Sequence, residues 1–382
     1  MDNHRVKVVP SRARLKPEDQ LAWKLAAYAA SRPTIENDVA ETASCRVVDN
    51  AAVAIAGINR APVAAAREMA LCHPRPEGAT LFGLGPEATV HAEWAAWANG
   101  TAVRELDFHD TFLATDFGHP GDNIPALIAV AQQTHRDGAA LVRAIAIAYE
   151  VHVGLMKGIN LHRYKKDHVA HLAPATTAGI GALLDLPVPV IYQAINQAVH
   201  LSFSTRQSRK GELSSWKAFV PGFSGKLAVE SIDRAMRGQA APSPIYEGED
   251  SVLAWMLAGP DAVYDVPLAS LGQPPRQILE TYTKAHSAEY QAQALIDLAF
   301  EIRTQIADLA QIEKIAIYTS HHTHTVIGTG SNDPQKFDLA ASRETLDHSI
   351  MYIFAVALED GRWHHIDSYP PARALRPSTT AL

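Results

Sequence analysis

The chain has 382 residues, of which 47% are apolar and 20% charged, and its formal net charge is −7. This is the composition of a globular protein with a sizeable core, and the length predicts two domains or three. Because there is no basic excess, we expect neither a nucleic-acid nor a membrane partner. No apolar run approaches the ~20 residues that span a bilayer, and the polar N-terminus lacks the apolar core of a secretory signal, which predicts a cytoplasmic protein.

The chain contains only two cysteines, Cys45 and Cys72. Two cysteines without CxxC spacing cannot build a disulfide framework or supply the thiolates of an iron–sulfur cluster. Chemistry that relies on such a cluster therefore has no ligands in this chain. We expect no cofactor.

Apolar periodicity predicts helices through residues 18–270, where strand signals are nearly absent. The segments are 20–30, 48–58, 139–156, 174–186, 191–201 and 222–237. A further helix starts near Asp122 or Asn123, either of which can cap it, with Pro125 in its first turn. Gly238 marks a helix end. We therefore predict an all-helical domain over residues 1–270.

The remainder of the chain has a mixed pattern after turn-rich segments at 258–261 and 272–275. A helix is predicted at 288–303, a strand at 312–319 with partly alternating isoleucines, and a helix at 347–358 capped by Asp347. Residues 271–382 are thus predicted to be a smaller α+β domain. The fold class is mainly α, with a large all-helical domain and a smaller α+β lid.

Polar residues concentrate in a loop between two predicted helices. They are Asp107, His109, Asp110, Thr111, His119 and Asp122. Polar groups held on a loop by a rigid frame commonly form a site. Aspartate and histidine are equally common as caps and turn residues on a solvated surface, so the residues alone leave both interpretations open.

Cation-rich segments precede several other predicted helices. In 162–171, His168 and His171 are three residues apart and would share a helix face. The segment 206–217 holds four cations before a helix start, an arrangement that favours anions. Segments 282–290 and 342–349 also open helices. Each is equally well explained as a solvated loop, but together they predict a polycarboxylate pocket.

His321, His322 and His324 raise the question of a metal site. On a strand, His322 and His324 would share a face. No cysteine or acidic partner lies nearby, so surface histidines are the better interpretation and we predict no metal.

Six blocks, in order along nearly the whole chain, resemble the MmgE/PrpD family. They are 99–111, 118–123, 167–169, 216–217, 287–289 and 342–349. The family acts on polycarboxylates, and blocks 286–289 and 342–361 are most similar to its dehydratase branch. The resemblance implies metal-independent elimination of water from 2-methylcitrate to 2-methylaconitate, in propionate catabolism. It also implies a homodimer of two-domain subunits, each with its pocket between the domains.

The resemblance implies site residues as well. As catalytic residues it implies His119, His168, Asp107, Lys217 and Lys284; the expected substrate-binding residues are Thr111, Arg206, Arg209, His171 and Glu289. The two lysines and two arginines would neutralise charge that develops on a substrate carboxylate. His119 and His168 would serve as base and acid, because histidine titrates near neutral pH. Asp107 would orient a histidine or a lysine, and Thr111 would hydrogen-bond the substrate.

Two alternatives stay open. Another lyase or isomerase of the family, of the aconitate decarboxylase or iminodisuccinate epimerase type, would need the same cationic pocket. Against the decarboxylase, the chain has Glu289 where that branch carries a histidine. Family members continue well beyond Trp363, so we expect 271–382 to be C-terminally truncated. An inactive chain that only binds polycarboxylates is the second alternative.

Overall fold

The computed structural model describes residues 1–382, and α-helix is its main regular structure. The chain divides into two compact units. Unit 1 contains residues 1–105, 109–206 and 218–282, and unit 2 contains residues 106–108, 207–217 and 283–382. Two short segments of unit 2 therefore interrupt the sequence of unit 1. The predicted domains, with their boundary after residue 270, stay a prediction.

Unit 1 is built mainly of alanine-rich helices, as the apolar periodicity predicts. The helices are α1 (Leu21–Ala30), α2 (Asn37–Ala56), α3 (Ala61–Leu71), α4 (Ala92–Glu105), α5 (Ile124–Gln133), α6 (Gly138–Gly158), α7 (Val169–Leu183), α8 (Val188–Ser202), α9 (Trp216–Met236) and α10 (Val252–Met256). The first two residues of α9 belong to unit 2. Gly238 follows α9 with a φ of +82°, which fits its predicted place after a helix end.

The central helix α7 is buried along its whole length and begins earlier than predicted. It starts at Val169, so Pro174 lies inside it rather than at its start. Proline has no N–H to donate to the carbonyl four residues back. In this helix the hydroxyl of Ser202 donates to that carbonyl, Ala170 O, at 3.4 Å. This contact from α8 helps α7 to accommodate its proline.

Helix α6 is 21 residues long with a mean hydropathy of 1.5 in its most apolar window, so by length and composition it could cross a membrane. This contradicts the expectation that no apolar run is long enough. However, 72% of that window is buried inside the protein. Helix α6 packs on α5, α7 and α2, and a core helix of this kind can be as long and as apolar as a membrane-spanning helix.

The prediction that residues 1–270 are all-helical is wrong in one respect, because this region contains three small antiparallel sheets. They pair β1 (Asp2–Lys7) with β6 (Val263–Leu268), β2 (Pro74–Thr80) with β3 (Thr89–Val90), and β4 (Phe112–Leu113) with β5 (Phe117–Gly118). Strand β1 buries only Val6, so it shows no alternation. Its pairing with distant residues is not visible in a local pattern.

Unit 2 is helical and contains no strand. Its helices are α11 (Gln293–Arg303), α12 (His321–Val326), α13 (Arg343–Leu346), α14 (Ile350–Asp360), α15 (Pro371–Ala374) and α16 (Pro377–Ala381). Helices α11 and α14 pack against each other and bury Ile296, Ile353 and Phe354 in a shared core.

Three predictions for unit 2 are corrected by the structure. The segment 312–319 forms no strand: its isoleucines contact the core, but no second strand pairs with its backbone. Asp347 does not cap the helix that follows it; Ser349 does, by accepting from Tyr352 N. His321–His324 open helix α12, where residues two apart do not share a face.

The close approach of α4 and α9 in unit 1 depends on glycine. A Cβ added to Gly222 would lie 2.5 Å from Trp97 O and 3.1 Å from Thr101 N, both backbone atoms that cannot turn away. A Cβ added to Gly225, in the same helix, would lie 3.3 Å from Ala126 Cβ. Of these two glycines of α9, only Gly222 therefore requires the absence of a side chain.

We predict that Gly222→Ala lowers the free energy of unfolding by about 2 kcal/mol, since overpacking outweighs the helix propensity gained. Gly225→Ala is the matched control and should change it by less than about 1 kcal/mol. Denaturant unfolding followed by circular dichroism measures both. Equal effects of the two substitutions would contradict the close-packing argument.

Candidate active site

In unit 1, Asp110 fixes the loop that carries most of the polar residues. Its Oδ1 accepts from Gly121 N at 2.7 Å, and its Oδ2 accepts from the hydroxyl of Tyr149 at 2.7 Å and lies 3.5 Å from Arg46 Nε. A Cβ at Gly121 would lie 2.8 Å from the same Oδ1, so glycine permits this contact. The buried carboxylate thereby sets the path of residues 118–123.

Three histidine rings lie in a row beside this loop. The His119 ring centroid is 5.1 Å from that of His109 and 5.5 Å from that of His168. His109 Nε2 lies 2.8 Å from Asp122 Oδ1, and His168 Nδ1 lies 3.3 Å from Asp167 Oδ1. Each outer ring thus has a carboxylate that orients it.

The protonation of His119 follows from its backbone contact. Its Nδ1 lies 2.8 Å from Asp110 O, a carbonyl that can only accept. In the neutral ring the proton is therefore assigned to Nδ1, which leaves Nε2 as the basic nitrogen. A histidine held in this tautomer can take a proton through Nε2.

Three further predicted residues lie in unit 1. Thr111 is buried and donates through Oγ1 to Gly118 O at 3.2 Å. His171 is buried on α7, with Nε2 2.9 Å from Ile159 O, and burial lowers its pKa to about 4. Burial raises the pKa of Asp116 to about 6, and the charge of Arg206 partly offsets this rise. Their contact with a substrate stays a prediction.

In unit 2, Asp107 brings both predicted lysines together. The Asp107 backbone has a φ of +49°, a left-handed conformation that is uncommon for a residue other than glycine. Its Oδ1 lies 3.1 Å from Lys284 Nζ, and its Oδ2 lies 3.4 Å from Lys217 Nζ. All three residues are less than 8% exposed. The sequence-predicted trio therefore forms one buried cluster.

Asp347 and His348, which the sequence analysis did not place in the site, complete this cluster. The ammonium group of Lys217 donates to both carboxylate oxygens of Asp347, at 3.0 and 3.2 Å, and lies 3.2 Å from His348 Nδ1. Burial opposes ionisation of Asp347, but Lys217 and His348 hold its pKa well below the usual range. Burial and the charge of Lys217 lower the pKa of His348 to about 4.

Arg343 supplies a third cation to the cluster. Its guanidinium group lies 3.3 Å from Asp347 Oδ2, donates to Ser287 Oγ at 2.8 Å, and lies over the Tyr369 ring at 4.3 Å from the centroid. Arg209, one of the predicted substrate-binding residues, donates to Lys217 O at 3.1 Å. Unit 2 thus places four cationic side chains along one polar network.

Glu289, the other predicted residue of unit 2, has an unusual protonation equilibrium. Its Oε2 accepts from Gln291 N at 2.6 Å. Burial raises its pKa to about 7, against the opposing effect of Lys284. Near neutral pH the side chain is therefore a mixture of acid and carboxylate, and it can donate a proton.

The carboxylates of Asp107 and Asp347 and the ring of His348 lie close enough together to hold a metal ion. Lys217 Nζ contacts all three of these groups. A divalent cation there would meet the ammonium charge at short range. The donor set therefore fits a lysine better than a metal.

Sequence profiles of two domains match the chain. The MmgE/PrpD N-terminal domain matches residues 19–265, and the MmgE/PrpD C-terminal domain matches residues 286–382. The chain belongs to the MmgE/PrpD family.

Curated relatives within the family carry the name 2-methylcitrate dehydratase. The protein from Cupriavidus necator is 28% identical over 331 residues, covering 80% of this chain and 64% of that protein. The Salmonella typhimurium protein is 27% identical over 310 residues, covering 75% and 60%. The mitochondrial protein of Yarrowia lipolytica is 25% identical over 317 residues, covering 78% and 58%. The chain spans less than two thirds of the length of these relatives.

Some of the residues that the sequence analysis missed lie in a segment that it had singled out. Arg343, Asp347 and His348 lie in the block 342–349 that carries the family resemblance, and this block was the available signal. His152 had no such signal. It is buried on α6, its Nδ1 lies 3.1 Å from Asn123 Nδ2, and burial lowers its pKa to about 3.

We predict that His171 makes the protein sensitive to acid. Its folded-state pKa of about 4 lies below the ordinary value of 6.5, so its contribution to stability is complete above pH 6.5 and lost as pH falls towards 4. His171→Gln keeps an N–H donor for Ile159 O but does not titrate. The free energy of unfolding of this variant should fall less steeply between pH 6.5 and 4.

The matched control is His200→Gln, at an exposed position on α8, which should keep the wild-type slope. Asp116 acts in the opposite direction, since its raised pKa favours the folded state at low pH and this gain is lost as pH rises through about 6. Asp116 Oδ2 lies 3.9 Å from His171 Nε2, so His171→Gln also alters the surroundings of this carboxyl group. A parallel loss of stability in His171→Gln and wild type would contradict the assignment.

Proposed function

We propose that this chain is a hydro-lyase that eliminates water from a tricarboxylate, with 2-methylcitrate as the substrate. The buried cluster of Lys217, Lys284 and Arg343 around two carboxylates is the observation that carries the proposal. Three cations in contact with the carboxyl groups of Asp107 and Asp347 leave positive charge in a buried environment. The names of the curated relatives support the choice of substrate.

The cationic cluster suits the first half of the reaction. Loss of the proton alpha to a carboxylate develops additional negative charge on that carboxylate. Fixed cations in a desolvated site stabilise such charge strongly, because they need no reorganisation as it appears. Lys217 and Lys284 are the proposed groups, and Asp107 holds both ammonium groups in place.

Proton transfer completes the elimination. A base takes the alpha proton, the C–H electron pair forms the double bond, and the C–O bond breaks as an acid protonates the departing hydroxyl, which leaves as water. His119 is the proposed base, because its neutral ring presents a basic Nε2. His168 and Glu289 are the proposed acids, and only Glu289 lies in the same unit as the lysines.

The activity is tested on the purified 382-residue chain, treated with chelator and mixed with 2-methylcitrate. The unsaturated product absorbs in the ultraviolet where the substrate does not, and mass spectrometry identifies it. We expect absorbance to rise, and we expect Lys284→Met to lower the rate about 100-fold or more. Lys226→Met, which removes a lysine paired with Glu230 on α9, should leave the rate unchanged.

A flat trace with 2-methylcitrate, citrate and cis-aconitate would overturn the proposed activity. Equal rates for Lys284→Met and wild type would show instead that the buried cluster is not used. Binding of 2-methylcitrate without turnover would identify the chain as a polycarboxylate-binding protein.

The pH dependence of the rate tests the role of Glu289 separately. If the protonated side chain donates to the leaving hydroxyl, the rate falls as pH rises through about 7, the raised pKa of this group. Glu289→Gln should lower the rate and remove this limb of the pH–rate profile. An unchanged limb in Glu289→Gln would assign the acid to another group, with His168→Gln as the next variant to measure.

A further inference from the structure

His152, on α6 in unit 1, is a buried histidine beside the row of three histidine rings. A Cβ placed on Gly118 would lie 3.7 Å from His152 Nε2 and 3.7 Å from His168 Cδ2. Gly118 also supplies the carbonyl to which Thr111 donates. His152 therefore borders the same loop residue as a proposed acid and an expected substrate-binding residue.

The hydrogen bonds of Asn123 fix the tautomer of the His152 ring. Asn123 Nδ2 donates to Pro120 O at 2.8 Å, and a backbone carbonyl can only accept, so this end of the amide is the NH2 group. The same Nδ2 lies 3.1 Å from His152 Nδ1, which must therefore accept. Burial lowers the pKa of His152 to about 3, so the ring is neutral near pH 7. Its single N–H proton is thus assigned to Nε2.

The N–H group at His152 Nε2 is buried and has no hydrogen-bond partner, and the whole residue is only 1% exposed. His109 Nδ1, in the same row of rings, is also buried and without a partner. Leaving such groups unpaired is costly, so native structures rarely keep them without a use. The row is not sealed, because His119 and His168 keep 8% and 9% of their surface exposed. A polar ligand held by the row would give these nitrogen atoms their partners.

We propose that His152 is a further catalytic residue, which binds and orients the substrate by donating a hydrogen bond from Nε2 to one of its carboxylate oxygens. This inference rests on the proposed hydro-lyase activity. A carboxylate only accepts hydrogen bonds, and the neutral ring, with Nδ1 held by Asn123, has only a donor left to offer. Since the ring does not titrate near neutral pH, His152 holds the anion without exchanging a proton. Acid–base chemistry stays with His119, His168 and Glu289.

Two substitutions separate the donor at Nε2 from the acceptor at Nδ1. His152→Gln places an amide NH2 group near the position of Nε2, while Asn123 stays paired with Pro120 O. His152→Asn is shorter and places its amide near the position of Nδ1, so it can accept from Asn123 but offers no donor at Nε2. His200→Asn, at an exposed position on α8, is the control. Thermal melts check that each variant is folded.

The ultraviolet assay with 2-methylcitrate gives kcat/KM for each variant of the 382-residue chain, and calorimetry gives its affinity for 2-methylcitrate. We expect His152→Asn to lower both about tenfold or more, the loss of one donor to a carboxylate, and by the same factor across neutral pH. His152→Gln should recover both to within about threefold of wild type. The control should match wild type.

A merely structural role would reverse the order of the two variants, because His152→Asn keeps the contact with Asn123 and His152→Gln loses it. That order would overturn the proposal, as would equal losses in both variants or wild-type values in a folded His152→Asn protein. Wild type that binds 2-methylcitrate without turnover would refute only the proposed activity, and the three affinities would still decide the role of His152. Wild type that neither binds nor turns over 2-methylcitrate would refute both.

Discussion

The ion pairs of Lys217 with Asp107 and Asp347 are the interaction on which unit 2 depends. These residues come from three separate stretches of the chain, and all are almost fully buried. Burying any one of the charges alone would cost several kcal/mol, and the cost is offset only when the partners meet with good geometry. The pairs therefore explain why the segments 106–108 and 207–217 group with residues 283–382. A network that specifies the fold in this way also positions both lysines.

The same network sets different protonation states on neighbouring groups. The charge of Lys217 helps to keep Asp347 ionised, and burial together with that charge keeps His348 neutral, whereas burial raises the pKa of Glu289 to about 7. Groups whose surroundings separate their pKa values in this way are what acid–base chemistry needs. In unit 1, by contrast, burial lowers the pKa of His152 to about 3 and that of His171 to about 4, so both rings are neutral near pH 7.

The sequence predicted α1 and α5 to α9, because alanine-rich apolar periodicity is a local signal, but it predicted only the second half of α2 and missed α3, α4 and α10. It missed β1 because its pairing with β6 is a long-range contact, and it predicted a strand at 312–319 because alternation says nothing about whether a partner strand exists. For the site, Asp107, Lys217 and Lys284 followed from the family resemblance. Asp347 was interpreted as a helix cap, since its partner Lys217 lies 130 residues away and no local pattern connects them.

Local charge explains the proposed activity better than the net charge does. The chain as a whole is acidic, at −7, yet the cluster in unit 2 gathers Lys217, Lys284 and Arg343 around the carboxyl groups of Asp107 and Asp347. Charges on the surface are screened by water and salt, whereas buried ones are screened much less. An excess of cations in this buried cluster therefore attracts an anion more effectively than the same charge would on the surface. Because the cluster lies in an acidic chain, its affinity for anions must come from this local arrangement rather than from long-range attraction.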